Sequence, residues 1–195
     1  MAEPIKVTKT EHYVGNDFFE MMKRRFKEEL EDRSEMHLQV GRTIVALSDI
    51  EQRLEMVFAL FSLPISEERS VRTFHGTQNF NRKLELVDYA VLRSGERELH
   101  APWNELSERI KQQKVVRNLA AHASIYFRQE KGARRSRAVI SASSYGERGK
   151  SKELGIPDVK RAADELEAIA RDIIRFFSPT LRAITKARNI TVDPW

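Results

Sequence analysis

Eight apolar residues constrain what this chain can become: Val40, Ile44, Leu47, Ile50, Leu54, Val57, Phe58 and Phe61 recur at steps of three and four. That spacing keeps one side of a helix apolar for roughly six turns. Glu51, Arg53 and Glu55 sit around its polar side. A stripe of this length has to be covered by other helices, so the chain is committed to a helical core.

The rest of the chain supplies the partners. Asp17-Phe18-Phe19-Glu20 reads as a capping box, which predicts a separate helix over residues 16–33. Its apolar side is Phe18, Phe19, Met22, Phe26 and Leu30, set among dense charge, and it must pack on its own bundle or on a partner. Residues 1–15 have no periodicity and are expected to form a flexible arm. Leu63-Pro64 ends the long stripe, because proline disfavours helix at the residue before it. Residues 62–76 then read as a connection with at most one short turn. Phe80, Leu84, Val87 and Val91 mark the next helix, which stops near Ser94-Gly95. Leu99, Trp103, Leu106 and Ile110 open another, running from about residue 98 to residue 123.

After residue 123 the period changes. Residues 124–128 and 137–143 have β character and flank Glu130-Lys131-Gly132-Ala133, so residues 124–156 read as a two-stranded hairpin or an irregular basic loop. Pro157 suits the first turn of a last helix, which carries Val159, Ala163, Leu166, Ala170, Ile173 and Phe177. Ser178-Pro179 is expected to break or restart it, and residues 188–195 form a tail. The expected architecture is all-α: one domain over residues 1–195, a four- to five-helix bundle with its core in 36–178, and a small β-hairpin after the helix that ends near residue 123.

Composition narrows the chemistry. A chain of 195 residues, 41% hydrophobic and 32% charged, has the balance of a folded helical protein. It has no cysteine, which excludes disulfides, thiolate nucleophiles and cysteine zinc sites. No apolar run approaches the length of a membrane span or a signal peptide, so a cytoplasmic protein without membrane contact is expected. The net charge of +5 is unevenly spread. Between residues 111 and 152, Lys111, Lys114, Arg117, Arg128, Lys131, Arg134, Arg135, Arg137, Arg148, Lys150 and Lys152 face only Glu130 and Glu147. A basic segment of this kind is either a solvated loop or a track for a phosphate backbone.

Inside that segment lies Arg117-Asn118-Leu119-Ala120-Ala121-His122. Helical geometry places Asn118 and His122 on one face, a turn apart, with Arg117 adjoining. Arginine is a permanent forked cation suited to phosphate, and histidine exchanges a proton near neutral pH. Steps of four, three and four from Leu99 to Ile110 extend through Gln113 to Arg117, setting an arginine in line with a buried face. It is either paired or at an interface, or else the helix bends near residues 111–114 and frees it to water. His122 reads equally as a helix C-terminal residue.

The pattern Arg117-Asn118-x-x-x-His122 resembles the R-x4-H motif of the HEPN superfamily of helical proteins. The resemblance implies a HEPN-like bundle, usually dimeric, and a metal-independent endoribonuclease with no cofactor. Arg117, Asn118 and His122 would be its catalytic residues, and Lys114, Arg128, Lys131, Arg134, Arg135 and Arg137 would hold RNA. The implied role is a toxin or antiviral defence effector, acting as a homodimer, with an antitoxin or regulatory protein as a further partner. The alternatives are a non-catalytic module of that family that binds RNA or nucleotide, and a plain dimerisation domain with Arg117 in a structural ion pair. Family toxins silenced by a nucleotidyltransferase often carry tyrosine two residues after the histidine. Here that position is Ser124, and the nearest tyrosine is Tyr126.

Other chemistries fit less well. Gly146-Glu147-Arg148-Gly149-Lys150-Ser151 has two residues between its glycines where a P-loop needs four, so it reads as a turn. His12, His37, His75 and His100 show no metal-ligand spacing and read as caps or surface residues. No serine nucleophile elbow or dinucleotide fingerprint is present.

Overall fold

The computed structural model describes residues 10–62, 67–122, 124–129, 136–141 and 153–188. The arm before residue 10, the Gly146–Ser151 turn and the tail after residue 188 lie outside them. The described residues are mainly helical. Six α-helices are α1 (Thr10–Phe61), α2 (Glu67–Gly76), α3 (Phe80–Arg93), α4 (His100–Gln112), α5 (Lys114–His122) and α6 (Ile156–Arg188). Strands β1 (Ser124–Arg128), β2 (Arg137–Ser141) and β3 (Glu153–Gly155) form one antiparallel sheet in that order.

The first correction concerns α1. Residues 16–33 are not a separate helix, and residues 10–15 are not an arm. All belong to one helix of 52 residues, about 78 Å long. Asp17 therefore lies inside it rather than capping it. The sequence between the two apolar runs, Arg33-Ser34-Glu35-Met36, holds no breaker, so nothing stops the backbone ladder from passing through. Residues 17–35 contribute no buried side chain, and the buried positions of α1 begin at Met36.

Along that buried part, Ala46, Ile50, Leu54, Val57, Phe58 and Phe61 pack with Leu84, Val87 and Val91 of α3, Trp103, Leu106 and Ile110 of α4, and Leu166, Ile169 and Ile173 of α6. Ile44, read as part of the buried stripe, points outward and is 48% exposed. The polar contacts of the core follow the need to pair whatever is buried. The indole Nε1 of Trp103 donates to Asp88 at 2.8 Å, and Lys83 pairs with Glu51 beneath the ring of Phe74.

Three further corrections follow. Residues 67–76, read as a connection, form the helix α2, with Phe74 buried against Phe58. Helix α6 is assigned through Pro179 to Arg188 instead of stopping at Ser178. The hairpin is real, with Ser124 opposite Ser141 and Arg128 opposite Arg137, but it has a third strand. That strand places Leu154 beside Met36, Leu119, Ala138, Ile140 and Val159 in a second, smaller core. Among the described residues, no helix is long and apolar enough to cross a membrane.

Candidate functional site

The helix expected over residues 98–123 is broken. A 3-10 turn, Arg97–Leu99, leads into α4, and Gln113 then leaves the helical region with φ −81° and ψ 1°. Its amide donates to Ile110 at 3.1 Å, closing one helix, and its carbonyl accepts from Arg117 at 2.9 Å, opening the next. The break settles which residues of α5 face inward. In an unbroken helix Gln113 and Arg117 would have continued the seam of Trp103, Leu106 and Ile110. Instead Leu119 is buried in the smaller core with Val116 against it, and Arg117 is moved to the flank.

There Arg117 is half-buried. Its guanidinium carbon lies 4.9 Å from the centre of the Phe80 ring, and Nη1 donates to Asn118 Oδ1 at 3.3 Å. Phe80 is the first residue of α3 and is held by a local cap, in which Asn79 Oδ1 accepts from the Asn81 amide at 2.9 Å. Leu47, Leu84, Ile110 and Gln113 complete the crevice around the arginine stem. Among the described residues Arg117 makes no ion pair, and an aromatic face takes the place of a carboxylate.

Asn118 and His122 are both exposed, one turn apart on the outer side of α5. His122 is the last residue of the helix. His122 lies five positions after Arg117, so their side chains leave the axis about 140° apart. One copy of the chain thus carries the arginine–amide contact and the imidazole on neighbouring faces without converging them on one point.

Beyond Ala120 the structure holds a feature that sequence patterns did not disclose. Arg33, His37 and Val40 of α1 face Leu119 and Ala120 of α5 and Ser124, Ile125 and Ile140 of the sheet across an open groove of about 410 Å³. The sequence reads His37 as a cap or surface residue. It is exposed, but tertiary packing sets it beside the residues that bracket His122. No local signal could have found this, because 78 residues of chain, 41–118, lie between the groove's two walls.

The expected RNA-binding residues divide. Lys131, Arg134 and Arg135 lie outside the described residues, as does the side chain of Lys114. Arg137 is exposed at the end of β2, opposite Arg128 on β1. Arg128 pairs with Glu153, whose carboxyl is held below its usual range by hydrogen bonds from Tyr126 and then Arg128. The Tyr126 phenol is pushed up, by burial first and then by Glu153. Two arginines of α1 join this side: Arg25 donates to Gln129 and Ser136, and Arg33 lies over Phe127 at 5.4 Å. Among the described residues no three of His, Asp and Glu gather as metal ligands. No protein-family model, curated protein or solved structure matches the chain.

Proposed function

We propose that the chain is a HEPN-like, metal-independent endoribonuclease. The observation that carries this reading is the state of Arg117. Its charge is placed by an aromatic ring and a neighbouring amide, with no carboxylate among the described residues to neutralise it. An arginine held this way keeps its fork for an anion, and the exposed His122 leaves α5 about 140° away around the helix. In the proposed reaction the RNA 2′-hydroxyl attacks the adjacent phosphorus while His122 accepts its proton. Arg117 stabilises the added negative charge on the phosphorane, and Asn118 orients the guanidinium. The bond to the departing 5′-oxygen breaks as that oxygen takes up a proton. The products are a 2′,3′-cyclic phosphate and a 5′-hydroxyl. One copy supplies one imidazole from the motif, so the active unit is a homodimer with the two motifs near its axis. The proposed biological role is a toxin or antiviral effector restrained by a partner protein.

A second reading, a non-catalytic module that binds RNA or nucleotide, draws support from the divergence of Arg117 and His122 around α5. The two separate in one assay, in which total RNA is incubated with the protein in EDTA beside a His122→Ala variant. Cleavage by the parent, lost in the variant, supports the nuclease. RNA retained without cleavage supports the binding module. Cleavage that depends on added Mg²⁺ would overturn the mechanism.

A further inference from the structure

Helix α1 buries one side from Met36 onward, and the opposite side is also apolar. Phe19, Phe26, Leu30, Leu38, Ile44 and Val45 are 65%, 70%, 55%, 57%, 48% and 62% exposed. They fall along one outward face over about 39 Å of helix. At roughly 100 Å² for each side chain, the stripe leaves on the order of 600 Å² per copy. Two copies covering one another would bury on the order of 1,200 Å², the range of a stable dimer.

The two halves of the stripe differ in shape. The first is bulky, with Phe19, Met22, Phe26 and Leu30. The second sets Leu38, Ile44 and Val45 around a gap at Gly41, with Ser48 beyond it, and a groove of about 570 Å³ opens there between Leu38 and Val45 on one side and Arg42, Asp49 and Glu167 on the other. Glycine in a helix interior is destabilising, and here the fold does not require it, because a Cβ at Gly41 would meet nothing within 4 Å. The space above Gly41 is left for something outside the chain.

We infer that this face is a self-recognition surface, on which α1 of a second copy packs antiparallel with Phe26 of each copy seated over Gly41 of the other. The register has an internal check. When Phe26 faces Gly41, Phe19 faces Ser48 and Met22 faces Val45, so both large rings meet small residues at once. A parallel pair would instead stack Phe26 on Phe26 and leave Gly41 against Gly41. The antiparallel two-fold, centred between Arg33 and Ser34, sets Phe26 and Phe19 over the small residues, and Leu30, Leu38 and Ile44 then meet His37, Glu29 and Lys23. In this register His37 faces Leu30 of the other copy, so the His37 wall of each groove lies at the seam of the pair. That placement bears on function only if the ribonuclease reading holds, whereas the pairing itself does not depend on it.

The test uses solution mass and crosslinking of the full chain. The parent is expected to sediment as a dimer at micromolar concentration. Gly41→Leu fills open space in its own copy, so it should keep the helical signal and melting temperature while raising the dissociation constant at least about 30-fold. Phe26→Asp, from the opposite half, should do the same. The chain lacks cysteine, so a single introduced thiol reports position cleanly. Ser34→Cys, beside the axis, should couple to its own kind with a short bifunctional thiol reagent. Gly41→Cys should not, because its two copies lie roughly 22 Å apart along the helices. A monomeric parent, a dimer indifferent to Gly41→Leu, or equal coupling at positions 34 and 41 would overturn the inference. RNA cleavage, read through His122→Ala, stands or falls separately.

Discussion

Arg117 is held unlike the other half-buried arginines. Arg42 lies against Asp164 and Glu167, and Arg109 against Glu165 and Asp172, so both are neutralised in place and their guanidinium pKa values are raised by those carboxylates. Arg117 has the face of Phe80 instead. A cation over a ring near the surface contributes about 0.5–1 kcal/mol. Arg117→Ala is therefore expected to lower stability by about 1 kcal/mol or less in urea unfolding. If the chain cleaves RNA as proposed, the cleavage rate should fall on the order of 100-fold, the usual loss when a donor to a developing oxyanion is removed. A stability loss above about 3 kcal/mol would instead mark the residue as part of a buried pair. Arg117→Lys keeps the charge but not the planar fork, so it should recover binding more than rate. His37 deserves the parallel experiment: if its groove holds RNA, His37→Ala should weaken binding while leaving the melting temperature unchanged.

At the scale of elements, periodicity was legible wherever one face is buried and the helix is unbroken. Trp103, Leu106 and Ile110 on α4, and Val159 through Phe177 on α6, are buried as their spacing requires. The same rule left Arg117 between two readings, and the bend near residues 111–114 is the one found, at Gln113, although no glycine or proline marks it. What turns the chain there is tertiary: Val116 and Leu119 gain a place in the smaller core, and the arginine avoids burial. Strand β3 was invisible because three residues carry no period, and its register depends on β2. Ile44 shows the converse limit, since an outward apolar residue has the same spacing as an inward one. The clamp between α4 and α6 makes a further prediction. Arg109 holds the Asp172 carboxyl below its ordinary range, chiefly by a hydrogen bond. A depressed carboxylate stabilises the fold above its unfolded pKa, about 4, and that stabilisation is lost as pH falls through the folded value. Asp172→Asn should therefore lower the melting temperature at pH 7 and flatten its decline on acidification. Parallel acid limbs for parent and variant would show that the clamp contributes nothing.

For the whole molecule, the question is whether the basic excess is local or diffuse. The segment from residue 111 to 152 carries more positive charge than the entire chain's +5, so the remainder is net acidic. The fold draws this excess together with residues far away in sequence: Arg33 lies over Phe127 of β1, and Arg137 is exposed on β2. If this side tracks a phosphate backbone, binding releases counterions in proportion to the phosphates neutralised. Replacing Arg33 and Arg137 together by glutamine should then make the log–log slope of affinity against salt shallower by about 1.4 to 1.8 units. Arg72 and Arg175 are the control. Each is exposed and paired with a carboxylate on its own helix, Glu68 and Asp172 respectively, so changing both removes the same formal charge elsewhere. That pair should shift affinity slightly and leave the slope alone. Equal effects from the two double variants would mean that RNA senses only the net charge. In that case the sheet side would be a solvated surface and not a track for phosphate.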